Sequence, residues 1–150
     1  MQRIILYSIL ILNLFSCGQD NRPIKKTKAE MIVQAEKIIT RNGNLPSKIL
    51  DAQFVEFQQG DGRLGPSEFQ FYMRITVNKV DTKKWVSGLE KPFNNSGVYS
   101  KPNTNEAWWI TEYNFLKIEK FETKTLFNRY NGWICIDEDL GFIYVYTFTM

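Results

Sequence analysis

A chain of 150 residues is the right length for one ordinary domain and short for two. Its 19 Lys and Arg against 16 Asp and Glu leave a formal charge of +3, well short of the basic excess of a nucleic-acid surface, so no nucleic-acid partner is expected. Histidine is absent, which removes Ser-His-Asp and Cys-His nucleophilic machinery, H-E-x-x-H zinc sites and imidazole acid–base chemistry together.

Arg3 followed by a largely apolar run over residues 4–15, with no further charge until Asp20, has the layout of a secretory signal. The run is shorter than the roughly 20 apolar residues that a bilayer span needs. It closes on Leu14-Phe15-Ser16-Cys17, which resembles the lipobox of bacterial lipoproteins: an aliphatic residue three before a Cys, a small residue directly before it, and cleavage ahead of the Cys. Phe15 is bulkier than is usual at its position. The resemblance implies a signal peptide over residues 1–16 and a diacylglycerol thioether with an acylated amino group on Cys17. It also implies a place in the bacterial cell envelope, lipid-anchored to the outer membrane or to the periplasmic face of the inner membrane. Several acyl chains, at about 0.8 kcal/mol per buried methylene, make such an anchor stable. The alternative is an ordinary signal peptide cut near Cys17, which leaves the chain unanchored. Residues 17–26 are polar, with Pro23 and two lysines, and read as the lipidated Cys and a short tether ahead of a single domain over residues 27–150.

Thr27 and Glu30 form the pattern of a capping box, and Met31, Ile32, Ala35, Ile38 and Ile39 recur at helical spacing, so a helix is predicted over residues 27–40. Arg41-Asn42-Gly43 supplies a cationic last turn and a left-handed stop. Residues 49–57 are rich in β-formers. Residues 68–77 alternate strictly, with Phe69, Phe71, Met73, Ile75 and Val77 on one face, and the two runs are predicted to form a hairpin around the glycine-rich loop at 58–66. That loop lacks the G-x-x-x-x-G-K-[ST] spacing of a phosphate cradle. Asp81 is placed to cap a short helix running to Leu89, with Val80 stapled onto Trp85. Residues 113–124 have no clean period. Residues 126–136 and 142–148 are aromatic and β-branched and are predicted to be two strands of a hairpin joined through residues 137–141; the last, apolar on both faces, is expected at the centre of a sheet.

The fold class that follows is α+β: an antiparallel sheet of four or more strands, the N-terminal helix packed on one face, and a second short helix. The strand ahead of Val80-Asp81, the Trp85 that follows them, the Trp108-Trp109 pair and the closing Ile134-x-Ile136-Asp137 hairpin are also similar to a pattern in small uncharacterised bacterial lipoproteins, a resemblance that implies no activity.

Residues 91–105 are polar and irregular, and long loops of this kind are often functional. Trp108 and Trp109 follow at once. Neighbours on a strand face opposite sides, so one of the two is expected to be partly exposed unless a second layer covers both. Trp108, Trp109, Tyr99 and Asn103 are therefore the candidate partner-binding residues. Cys135, between two isoleucines, reads as a buried small hydrophobe. Asp137-x-Asp139-x-Gly141 starts like a calcium loop, but the position of the closing Glu is Phe148, so no metal is expected; no cofactor is expected either. The leading functional reading is a non-enzymatic, lipid-anchored interaction module with two partners, the membrane through its lipid and an envelope protein. The alternative is a binder of cell-wall glycan, or a hydrolase using Glu106 and Glu112 beside the tryptophans.

Overall fold

The computed structural model describes residues 26–59, 68–91 and 97–149. The signal-like run, the lipobox with Cys17, most of the tether and most of the glycine-rich loop lie outside the described residues. Helix α1 (Lys28–Thr40) leads into strands β1 (Ile49–Gln59) and β2 (Glu68–Val77). A 3-10 turn (Lys79–Asp81) then runs into α2 (Thr82–Val86), followed by α3 (Glu112–Lys117), β3 (Lys120–Phe121), α4 (Lys124–Phe127), β4 (Gly132–Asp137) and β5 (Phe142–Phe148). The strands form one antiparallel sheet in the order β1-β2-β5-β4-β3, with β5 at the centre as its two apolar faces require. The architecture is α+β, with α1 on one face and α2 as the short second helix. Among the described residues no helix is long and apolar enough to cross a membrane.

The capping box forms as expected. The Glu30 amide donates to the Thr27 hydroxyl at 3.3 Å, and the Thr27 amide donates to the Glu30 carboxylate at 2.7 Å. Hydrogen bonds from the Thr27 amide and the Thr27 hydroxyl hold the Glu30 carboxyl below its usual range. At the other end of α1 no left-handed residue appears. Arg41 stays right-handed, the Asn42 amide turns back to the Ile39 carbonyl at 3.2 Å, and the Asn42 side chain donates to the Leu126 carbonyl at 3.1 Å. A tertiary contact thus replaces the local stop.

The helix-side core joins Ala35 and Ile39 of α1 to Met73, Ile75, Ile134, Ile143 and Val145 of the sheet, with Trp85, Leu126 and Phe127 closing its margin. Trp85 donates its ring N–H to the Ser47 hydroxyl at 2.8 Å, tying α2 to the entry of β1. The predicted staple is absent: Val80 is 78% exposed, because the 3-10 turn capped by Asn78 rotates it outward. Asp81 makes no cap; it pairs with Lys84 at 2.7 Å, and α2 stops at Val86, short of Leu89.

The opposite face differs from the half-buried sheet predicted. Tyr72, on the polar side of its strand by alternation, is 1% exposed, because Trp109 and Phe115 pack over that side of the sheet as an aromatic layer against Trp133 and Tyr144. Part of this layer comes from the stretch without period, which resolves into α3 and the two-residue β3. The strand predicted over 126–136 is confined to Gly132–Asp137; its first residues belong to α4, and Asn128 breaks the path at φ 49°. Leu126 and Phe127 bury themselves under the helical layer from there. Between β4 and β5 the turn forms as expected, with Gly141 at φ +71°.

Gly132 has φ +123°, and a Cβ there would meet the Tyr146 carbonyl oxygen at 1.9 Å. Gly132→Ala is expected to lower the urea-unfolding free energy by more than about 2 kcal/mol. Gly43→Ala, where a Cβ meets nothing within 4 Å, is expected to change it by less than about 0.5 kcal/mol.

Candidate functional site

Trp108 and Trp109 lie in a turn, not on a strand, so the alternation argument does not govern them. Both rings join the same aromatic layer, edge to face at 5.5 Å. Trp109 is 8% exposed: it meets Tyr72 at 5.3 Å and Tyr144 at 5.8 Å, and its N–H donates to the Ser100 carbonyl at 2.9 Å. It is a core residue. Trp108 is only partly buried. Its backbone carbonyl accepts from Arg74 Nη1 at 3.2 Å and its ring N–H donates to Glu106 Oε2 at 2.6 Å, so backbone and ring are each fixed.

Tyr99 sits in the same layer, its hydroxyl donating to the Ile110 carbonyl at 3.0 Å, while Asn103 is exposed and lines no described cavity. The described part of the polar stretch is pinned to the sheet at several points. Trp133 donates to the Val98 carbonyl at 3.0 Å, and the Tyr72 and Ser100 hydroxyls bond at 2.8 Å. Of the four candidates, Trp108, Trp109 and Tyr99 come together and Asn103 stands apart.

The open face of Trp108 borders a groove of about 790 Å³. Its floor is five consecutive residues of β1, Asp51 to Val55, with Met31 and Lys28 of α1 on one side and Trp108 and Glu106 on the other. Successive strand side chains point to opposite faces, so a groove lined by all five runs along the strand edge rather than over one face. Among the described residues β1 is an outer strand, paired with β2 alone. It is 11 residues long, with no Pro or Lys, and its one irregularity is the register shift between Ile49 and Asp51. The other outer strand, β3, is two residues long. Gln53 Oε1, at the middle of the groove floor, is buried with no hydrogen-bond partner. None of these edge residues stands out in the sequence; the only signal is a run of eleven residues without Pro or Lys.

Carboxylate chemistry finds little support in the geometry. Glu106 spends one oxygen on Thr104 at 2.8 Å and the other on Trp108 at 2.6 Å, and Glu112 is exposed on α3, away from the groove. The Asp137 carboxylate accepts from the Leu140 amide at 3.0 Å and stabilises its turn; among the described residues no cluster of metal-ligating side chains forms. Cys135 is fully buried. No known family model matches the chain, and no curated protein or solved structure matches it.

Burial pushes the Cys135 thiol up to about 12 from 9.0, against a smaller opposing pull from Lys120, and the Tyr144 phenol up to about 12 from 10.0. Below about pH 8 both groups are protonated in the folded and unfolded chains alike. Above it the unfolded chain releases protons that the folded chain retains, so stability falls as pH rises toward 12. Tm is expected to stay level from about pH 7 to 8 and then decline, less steeply in Cys135→Ala, with Cys135 unreactive toward a thiol reagent at pH 8 until the protein unfolds.

Proposed function

We propose that this chain is a lipid-anchored, non-enzymatic interaction module of the bacterial envelope, and that it binds an extended segment of a partner protein as a sixth strand along β1. The observation that carries this reading is the contrast between the two outer strands. A long strand edge is a template for further pairing, and proteins ordinarily shorten such edges, charge them or cover them; β1 carries Asp51 and Glu56 as its charges, the first paired with Lys28 at 3.8 Å. Here β3 is shortened to two residues, whereas β1 keeps eleven and carries a groove along its edge. In strand addition the main chain supplies affinity and side-chain pockets on either side supply selectivity. Trp108 with Val55, and Met31 with Phe54, would be those pockets. Lys26 also lines the groove, and only residues 18–25 separate it from Cys17. Fully extended, that segment spans at most about 28 Å, so an anchored domain would hold the groove close to the membrane surface and favour a membrane-associated partner.

A second reading rests on one specific feature. A partly buried tryptophan beside Asp51, Gln53 and Glu106 also suits a sugar face with hydroxyls around it, as in a cell-wall glycan binder.

Residues 18–150 without lipid serve as bait in an envelope extract. A protein is expected to be retained by the wild type and lost with Gln53→Lys, which places a cation in the floor of the groove. Retention of cell-wall glycan fragments in place of a protein, with Gln53→Lys behaving like wild type, would overturn strand addition. Anchoring is checked separately. The full-length chain is expected to incorporate labelled palmitate in a bacterial host and to fractionate with membranes, and Cys17→Ser to do neither.

A further inference from the structure

On the helix side of β5 the inward positions read Ile143, Val145 and Thr147. The first two fill the core. Thr147 is equally buried, at 1% exposed, yet its hydroxyl has no hydrogen-bond partner. Valine would have the same shape without that burial cost. Its cross-strand neighbours are Phe71 on β2 and Gly132 on β4, so on the β4 side no side chain fills the layer. The space beneath the C-terminal half of α1 is a cavity of about 260 Å³, whose walls include Thr147, Arg129, Arg41, Asn42 and Glu56. Arg129 Nη1 is a second buried polar atom with no partner, on the wall of the same cavity. Its backbone is fixed, the Arg129 carbonyl accepting from the buried Thr123 hydroxyl at 2.7 Å. Among the described residues neither Arg129 nor Arg41 has an ion-pair partner.

We infer that this cavity binds a small oxyanion of one or two negative charges, a carboxylate or a phosphate, held by the Arg129 guanidinium and the Thr147 hydroxyl with Arg41 beside them. A guanidinium offers N–H donors in a planar fork that matches the oxygens of such groups. A hydroxyl alongside it completes a donor set for an acceptor-only ligand. The charge of the ligand follows from the surroundings. Two guanidinium groups face one exposed carboxylate, Glu56, and the C-terminal carbonyls of α1 add negative potential, so a polyphosphate is disfavoured. The volume suits a compact ligand, being below the range of pockets for drug-sized molecules. Phe54 is a wall of both this cavity and the β1 groove, but the binding test involves no polypeptide, so the two proposals succeed or fail separately.

The test titrates inorganic phosphate and acetate separately into residues 18–150 at constant ionic strength, with chloride as control, by calorimetry and by NMR of the Thr147 amide and the Arg129 side chain. Saturable binding of at least one anion, with shifts at both residues, is expected. Arg129→Gln and Thr147→Val should each weaken it at least tenfold. The tighter of the two anions identifies the ligand as carboxylate or phosphate. Thr147→Val preserves shape and serves should Arg129→Gln fail to fold. Absence of saturable binding to the wild type, or equal binding by wild type and Thr147→Val, would overturn the proposal and leave internal water as the partner of both unpaired groups.

Discussion

Strand β5 carries apolar side chains on both of its faces, and a strand of that kind is stable only with cover on both sides. One cover is ordinary: α1, capped by Thr27 and Glu30, packs against β1 and brings Ala35 and Ile39 into the same core as Ile143 and Val145. The other is made without a long helix. Trp109 and Phe115 pack edge to face or tilted against Trp133 of β4 and Tyr144 of β5, and the covering chain is fastened by hydrogen bonds from ring N–H and hydroxyl groups to backbone carbonyls at Val98, Ser100 and Ile110. Aromatic side chains suit this role because each buries a large area and Trp and Tyr keep a polar group to place. The polar stretch that reads in the sequence as a free loop is, in its described part, the outer wall of the second core.

The same arrangement decides which surface is left for recognition. With both sheet faces occupied, the remaining strand surface is at the two edges, and the two are treated differently. β3 stops after two residues, with Lys120 buried against Phe115 at 4.6 Å from the ring centre. β1 continues for eleven residues, with Trp108 standing over its free side. Trp108 is positioned by the second core, through Trp109 and Arg74, and by Glu106 just ahead of it in the chain. The site and the second core therefore depend on the same packing.

The features legible in the sequence were those with local causes. The Thr27–Glu30 box, the alternation of residues 68–77, the turn at Gly141 and the central place of the last strand each follow from residues a few positions apart. The misread features have distant causes. Tyr72 looks solvent-facing by alternation but lies under Trp109, contributed from 37 positions away along the chain. Val80 was assigned to a staple that the Asn78 cap prevents, and the end of α1 is set by Leu126. Of the site, the sequence marked Trp108 but not β1, because edge position is a property of strand order, and strand order depends on contacts between residues far apart in the chain. Asn103 was chosen for its loop composition, which carries no information about direction.

The most direct measurement of strand addition is amide hydrogen exchange along β1, with and without a protein captured on the wild-type domain. In the free domain the outward-facing amides between residues 50 and 58 should exchange rapidly while those of β5 are protected. In the complex every second amide of β1 should slow together with the Trp108 turn. Unchanged exchange along β1, with protection confined to another surface, would contradict the account.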